Sequence, residues 1–460
     1  MPLRSFTHRL RRLAPGQLLI LYYTVAILIG SAFLSMPMAS RGGPLPFIDA
    51  LFTATSAQCV TGLTVVDTGS GLTTFGQLVV LCLIQLGGLG ITTFSVYLFF
   101  FLRLGVGIQG RWIINETLLH TPVHSLRELI NSVILVSIGI EAAGTAILAL
   151  VFVPDLGLSE GLFTAMFHSI SAFCNAGFSL FSESLIGYRE NATVNLTVMG
   201  LIILGGIGFL VIREIMDIAL GRGKKNRSRL SLHTRIVLWT SALLILGGAA
   251  LILLMEANGG ALDGLSPGEK ILTSFFQSVT ARTAGFNTID MNLFRISTLL
   301  VVIFLMFVGA SPGSAGGGIK TTSLALFIAI LNSRLKGNSH TNIFRRTIST
   351  ETVTKTLALV MLATLVVGVA LFSLILVQHP GASARQHDDV FLKYFFETVS
   401  AFGTVGLSMG ATDLLKTGGK VIVIALMFVG RVGLLTVAFT IAKRMSPEAT
   451  RYAEENIMIG

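Results

Sequence analysis

Phe52-Thr-Ala-Thr-Ser-Ala-Gln-Cys-Val-Thr-Gly-Leu63, Phe167-His-Ser-Ile-Ser-Ala-Phe-Cys-Asn-Ala-Gly-Phe178, Phe276-Gln-Ser-Val-Thr-Ala-Arg-Thr-Ala-Gly-Phe286 and Phe396-Glu-Thr-Val-Ser-Ala-Phe-Gly-Thr-Val-Gly-Leu407 share one pattern. Each runs from Phe through Ser/Thr-Ala to a Gly followed by Leu or Phe, ten residues on in three copies and nine in the third. The glycines, Gly62, Gly177, Gly285 and Gly406, are separated by 115, 108 and 121 residues. Solenoids repeat roughly every 20 to 50 residues, so this spacing marks a larger unit present four times.

Each repeated glycine sits between two long apolar runs. The first runs cover 17–39, 129–153, 236–255 and 356–377, and the second 76–102, 195–220, 298–331 and 419–442. A spanning helix needs about 20 apolar residues, which the long runs supply and the short segment before each glycine does not. A short apolar stretch beside membrane spans is a re-entrant candidate. The expected fold is an all-α polytopic membrane protein with four re-entrant pore helices and eight spanning helices around a pseudo-four-fold pore. Its expected parts are an N-terminal tail 1–16, repeats 17–104, 105–220 and 221–335, and a fourth repeat with C-terminal tail, 336–460.

Composition agrees. Of 460 residues, 52% are apolar and only 12% charged, about half the ~25% of soluble domains, and mean hydropathy is +0.79. Those values exclude a soluble enzyme and a disordered chain, and the 49 glycines lack a collagen period. Three cysteines without paired spacing support neither a disulfide framework nor a zinc site. The run from Gln17 to Met38 is too long for a signal h-region and reads as the first span. The net charge of +10 falls in five basic clusters: Arg4 to Arg12, Arg103 to Arg127, Arg222 to Arg235, Arg334 to Lys355 and Lys443 to Arg451. Short basic loops stay cytoplasmic, so both termini and three internal loops are expected there, and nucleic acid is not an expected partner.

The short segments carry helix-start signals: Ser266-Pro267-Gly268-Glu269, Ser159-Glu160, Asp388-Asp389 and Pro46-Phe47-Ile48-Asp49. Their partly negative C-terminal ends then point into the membrane, where four backbone segments can replace a cation's water with carbonyl oxygens. The candidate filter residues are Cys59, Val60, Thr61 and Gly62; Cys174, Asn175, Ala176 and Gly177; Arg282, Thr283, Ala284 and Gly285; Gly403, Thr404, Val405 and Gly406. Small residues also simply let helices pack closely. Four equivalent copies, each behind a short capped helix, favour the coordinating reading.

Thr61-Gly62-Leu63-Thr-Val-Val-Asp67-Thr, Phe173-Cys-Asn-Ala-Gly-Phe178, Arg282-Thr-Ala-Gly-Phe-Asn287 and Phe402-Gly-Thr-Val-Gly-Leu407 resemble the filter loops of the Trk/Ktr/HKT superfamily of potassium transporters, a likeness running from about Gln17 to Gly460. The resemblance implies K⁺ transport, sometimes Na⁺-dependent, with K⁺ on the backbone carbonyls of Val60, Thr61, Asn175, Ala176, Thr283, Ala284, Thr404 and Val405. About 16 residues before the first span fit the Ktr-type subunit better than Trk-type subunits, which carry two further N-terminal helices. Ser replaces the first filter glycine in sodium-preferring plant members, so glycine in all four copies implies potassium. The family further implies a multi-pass protein of the bacterial plasma (inner) membrane, a homodimer with one pore per protomer, and a cytosolic nucleotide-binding regulatory ring of the RCK type. No organic cofactor is implied.

The third unit departs from the others. Its second apolar run contains Gly309, Ala310, Ser311, Pro312, Gly313, Ser314, Ala315, Gly316, Gly317, Gly318 and Lys320. Five glycines and a proline in ten residues cannot continue a helix. Irregular backbone at membrane depth is tolerated against protein or a water-filled cavity, so this stretch is a candidate gate; a kink for packing would need only the proline. A Walker A motif fails because Ile319 separates Gly318 from Lys320. Arg431, within an apolar helix, costs at least ~2.5 kcal/mol without polar partners. The family's pattern sets a matching arginine against the third-unit loop, so Arg431 is expected on carbonyls of Gly313 to Gly318. Two other classes fit the sequence less well. An intramembrane enzyme lacks paired catalytic groups: His168 and Glu397 occupy equivalent sites in different units. A secondary active cation transporter with a midplane broken-helix site usually has two inverted halves, not four parallel units.

Overall fold

The computed structural model describes residues 15–89, 126–220, 230–380, 390–434 and 436. The expected N-terminal tail up to residue 14, the basic clusters at Arg4–Arg12 and Lys443–Arg451, most of those at Arg103–Arg127 and Arg222–Arg235, and the Asp388-Asp389 helix start lie outside the described residues.

The element order repeats four times. Unit one holds α1 (Pro15–Leu34), α2 (Phe47–Gln58) and α3 (Thr74–Gly88); unit two α4 (Leu126–Leu156), α5 (Leu158–Phe173), α6 (Ala192–Ile207) and α7 (Phe209–Ala219). Unit three holds α8 (Leu232–Glu256), α9 (Pro267–Thr280), α10 (Ile296–Phe307) and α11 (Thr321–Leu335). A two-stranded antiparallel hairpin, β1 (Asn342–Ile343) and β2 (Arg346–Thr347), leads to unit four: α12 (Thr350–Gln378), α13 (Val390–Gly403) and α14 (Thr417–Val432).

The first helix of every unit contains the stretch long and apolar enough to cross a bilayer: Gly16–Leu34, Asn131–Leu156, Leu232–Glu256 and Thr350–Gln378. Their outer faces carry exposed Leu150, Leu254, Met361 and Phe372, the arrangement expected when the surrounding medium is as apolar as the side chains. The short helices α2, α5, α9 and α13 form the centre, with Phe52, Phe167, Phe276 and Phe396 fully buried. Ser266 and Glu269 form the expected capping box on α9, and Asp49 and Glu160 stand in the first turns of α2 and α5.

Each unit's second helix packs on the next unit's short helix: α3 on α5, α6 on α9, α10 on α13, and α14 back on α2. The circuit is sealed where Lys420 of α14 pairs with Asp49 of α2 at 2.5 Å. Within a unit the contact is closer still. A Cβ on Gly87, Gly205 or Gly430 would stand 2.0, 1.8 or 2.0 Å from the carbonyl oxygen of Gln58, Phe173 or Phe402, at the end of that unit's short helix.

One expectation is corrected. The sequence singled out only the third unit's second helix as broken, yet α6 and α7 meet at 100° around Gly208, at φ +92°. The two breaks complete each other. Ending α6 frees the carbonyls of Gly205 and Gly206, which accept from the third-unit loop's Ala315 N–H at 3.1 Å and Ser311 N–H at 3.0 Å. The Phe209 N–H in turn donates to the Gly313 carbonyl at 3.1 Å. Buried backbone polar groups must find partners, and these find them in each other.

Gly205→Ala and Gly430→Ala are expected to lower stability by about 1–3 kcal/mol, the usual cost of overpacking a filled contact. Gly200, with nothing within 4 Å of its Cβ position, should tolerate alanine with unchanged or raised melting temperature. Thermal unfolding in detergent checks the contrast.

Candidate functional site

The four short helices end by closing their last turns. Cys59 N–H donates to the Thr55 carbonyl at 2.8 Å and Cys174 N–H to Ile170 at 2.9 Å. The chain then turns sharply. Val60, Asn175, Thr283 and Thr404 have φ of 56, 59, 74 and 51°, and the glycines two residues on, Gly62, Gly177, Gly285 and Gly406, have φ of 92, 70, 78 and 94°. Thr61, Ala176, Ala284 and Val405 between them keep negative φ. Alternation of this kind turns successive carbonyls toward one side instead of opposite sides. Three of the four leading residues are β-branched, for which a positive φ costs about 1–3 kcal/mol unless the surroundings over-determine it.

The surroundings do so through the Ser/Thr of the repeat. The carbonyls of Ser56, Ser171, Thr280 and Ser400 accept from the N–H groups of Thr61, Ala176, Ala284 and Val405 at 2.8, 2.7, 2.9 and 2.9 Å. Their hydroxyls reach one step further. Ser56 and Ser400 accept from Gly62 and Gly406 N–H, each at 3.1 Å. Ser171 and Thr280 donate to the carbonyls of Phe178 and Phe286 at 2.8 and 2.6 Å. The repeated Ser/Thr-Ala of the four copies is thus the clamp that shapes each loop.

The four loops meet. A Cβ on Gly62 would stand 2.5 Å from the Ala176 carbonyl oxygen, on Gly177 2.7 Å from Ala284, on Gly285 2.4 Å from Val405, and on Gly406 2.3 Å from Thr61. The sequence of contacts is cyclic and closed. Glycine is required here for space as well as for φ. Four carbonyl oxygens on a narrow ring, at the negative ends of four helices, form an environment that favours a desolvated cation.

Of the sequence-predicted residues, Gly403 ends its helix, Cys59 and Cys174 follow theirs directly, Arg282 stands two residues past α9, and the twelve others form the loops. Arg282 joins the site by its backbone alone. Its buried guanidinium turns away to the Ser241 hydroxyl of α8, 3.2 Å from Nη2, in a crevice it shares with Ile202, Ile207 and Ile245.

The third-unit loop, 308–320, lies against the ring. Gly317 N–H donates to the Thr404 hydroxyl at 3.0 Å, and a Cβ on Gly316 would collide with the Thr283 hydroxyl. Thr283 also pairs with the Asn175 amide of unit two at 3.2 Å. Lys320 Nζ folds back onto the Gly316 carbonyl at 2.7 Å. The Arg431 guanidinium donates to the Ala315 carbonyl, inside the stretch expected from sequence, and also to the Gly87 carbonyl of α3. It therefore ties units one, three and four together.

Asp67 stands five residues beyond the first glycine. Burial works to raise its pKa, but hydrogen bonds from Ser70, N–H at 2.6 Å and hydroxyl at 2.8 Å, outweigh this and hold it below the usual carboxylate range. Sequence reasoning missed Gly87, Gly205 and Gly208 as site-building residues. The clusters Gly87-Gly88 and Gly205-Gly206-Ile-Gly208 near the middle of apolar runs were the available signal.

A family model described as TrkH, cation transport protein, matches residues 11–452. The Ktr system potassium uptake protein B of Bacillus subtilis is 40% identical over 452 residues, 98% of this chain and 97% of that protein. The Vibrio alginolyticus protein of the same name is 38% identical over 445 residues, covering 96% and 94%. The potassium/sodium uptake protein NtpJ of Enterococcus hirae is 37% identical over 454 residues, 98% of each chain. In fold, the chain is similar to the crystal structure of the potassium transporter TrkH from Vibrio parahaemolyticus, with a TM-score of 0.73 at 20% identity over 94% of this chain and 86% of that one.

Removing the Ser400 or Ser56 hydroxyl leaves a buried glycine N–H unpaired, at a cost of about 1–3 kcal/mol. Ser400→Ala and Ser56→Ala should melt at lower temperature in detergent, and Ser400→Thr near the wild type. Equal melting of all three would remove the hydroxyls from the account of loop shape.

Proposed function

The chain belongs to the TrkH family of cation transport proteins, and from that premise we propose that it takes up potassium ions across the bacterial plasma membrane through the ring formed by its four loops. The observation that carries this reading is the closed circuit of Gly62, Gly177, Gly285 and Gly406 against the carbonyls of the neighbouring loops. Backbone oxygens at four helix C-termini compensate a monovalent cation for its lost water without binding it so tightly that it cannot leave. The ionised Asp67 beside the loops supports an entrance that attracts cations. The names of the relatives, potassium uptake in two and potassium/sodium uptake in the third, support K⁺ as the cargo and leave Na⁺ as a candidate coupling or competing ion.

In the same reading the four units are membrane helix, re-entrant helix and second membrane helix, with both termini cytoplasmic. The loop 308–320 is an intramembrane gate lying across the path below the ring, and Arg431 is its latch. The hydrogen bonds from Arg431 to Ala315 and Gly87 support this role, because a guanidinium there both holds the loop and repels a passing cation. A homodimer and a cytosolic nucleotide-binding regulatory ring of the RCK type complete the proposal; opening would then mean displacing the loop from Arg431.

K⁺-limited growth of an uptake-deficient strain expressing the chain tests the function. Gly62→Ser should erode K⁺ over Na⁺ discrimination, because its side chain enters the space of the Ala176 carbonyl. Gly62→Ser combined with Gly285→Ser should abolish it; retained flux and selectivity in the double variant would refute the four-loop filter. Arg431→Ala should raise K⁺ flux at equal expression, and unchanged flux would remove the latch. Flux measured against imposed Na⁺ and voltage gradients identifies the driving ion.

A further inference from the structure

Behind the loops lies a second layer of polar groups. The residue after each repeated Phe is Thr53, His168, Gln277 or Glu397, different in chemistry and equivalent in position. Each side chain is buried at the core of the molecule. Three of them do the same thing: they cross to a hydroxyl on the chain just beyond the loop glycine. The Ser179 hydroxyl lies 2.9 Å from His168 Nε2, Gln277 Nε2 lies 3.5 Å from the Thr288 hydroxyl, and the Ser408 hydroxyl donates to Glu397 Oε2 at 3.0 Å. Ser179 and Ser408 each stand two residues past their glycine, and Thr288 three.

The bonds at His168 and Glu397 are held from both sides. His168 Nδ1 lies 2.8 Å from the Thr164 carbonyl, which only accepts. Nδ1 therefore carries the proton, and neutral Nε2 accepts from Ser179. The ring is also stacked on Phe181, 4.9 Å between centroids, and packs against Phe286 of unit three, 6.2 Å away. Glu397 accepts a second hydroxyl, that of Thr412, on Oε1, and the Ser408 hydroxyl accepts from Gly410 N–H at 3.0 Å. The first unit departs from the pattern, since the buried Thr53 hydroxyl has no hydrogen-bond partner among the described residues.

We propose that this layer positions the loops, with Glu397 and His168 as the positioning residues that set K⁺ over Na⁺ discrimination. The inference rests on the filter reading above and assigns residues that reading leaves unused. One way in which a ring of backbone carbonyls distinguishes a larger from a smaller cation is by resisting closure on the smaller one. The Ser/Thr clamps hold the inner end of each loop. His168 and Glu397 hold the outer end of loops two and four, so the glycine in between is pinned from both sides. Both act through the chain they fix.

The test is rubidium uptake into proteoliposomes, with inhibition by Na⁺ measured alongside, for the full chain and its variants. Glu397→Leu and His168→Leu should lose K⁺ over Na⁺ discrimination by about tenfold, ~1.4 kcal/mol, with uptake itself retained. Glu397→Gln keeps an oxygen for Ser408 and should stay near the wild type. A Gln variant as impaired as the Leu variant would assign the effect to charge and overturn the positioning role. Where a Leu variant fails to fold, Ser408→Ala and Ser179→Ala delete the same bonds from the other side and should show the same direction of change. Unaltered discrimination in those two, with a discriminating wild type, overturns this inference alone. A wild type that does not discriminate overturns the filter reading and this inference with it.

Discussion

Four glycines set so close that each faces the next loop's carbonyl oxygen are the constraint on which the rest of this structure depends. A single Cβ at Gly62, Gly177, Gly285 or Gly406 would collide with the backbone of its neighbour. Such an approach is stable only if every loop is held from behind, because carbonyl dipoles facing one another repel. The short helices supply that support, and their Ser or Thr clamps bend each loop into its alternating conformation. The remainder of each unit is a means of holding a short helix at the required depth. Gly87, Gly205 and Gly430 let the second helices press directly on the ends of α2, α5 and α13.

The same demand for partners explains the irregular half of the molecule. Unsatisfied backbone groups in an apolar medium cost several kcal/mol, roughly a hydrogen bond each or more. The 308–320 loop exposes such groups and so does the end of α6, and each meets the other's requirement. Arg431 is resolved in the same way. Its charge is buried among the helices, and Nη1 and Nη2 donate to the carbonyls of Ala315 and Gly87. In the proposed transport cycle this matters, since a loop held by hydrogen bonds to units two and four moves only when several are exchanged together.

Much of this was legible in the residues. The Phe to Gly repeat located all four loops, and Ser266-Pro267-Gly268-Glu269, a local signal whose physics needs no neighbour, located the start of α9. The glycine-rich break of unit three was equally plain, because five glycines and a proline defeat any helix. Gly208 was not. One glycine in an apolar run is compatible with a continuous helix, and α6 ends there because the third-unit loop, some hundred residues later, offers its N–H groups. Arg282 was grouped with the loops by its place in the repeat, whereas its side chain follows the room available beside Ser241.

The sequence by itself therefore determined the unit, its fourfold recurrence, its apolar helices and the residues of its loops. These follow from composition, periodicity and the short-range rules of capping and backbone strain. Only the tertiary structure decided which carbonyl each glycine faces, that the two broken helices satisfy one another, and where Arg431, His168 and Glu397 reach. Those are contacts between segments a hundred or more residues apart, or across a loop whose bend is set by its neighbours. No local rule specifies them, because the free energy that selects them belongs to pairs of groups that meet only when all four units have closed into a ring.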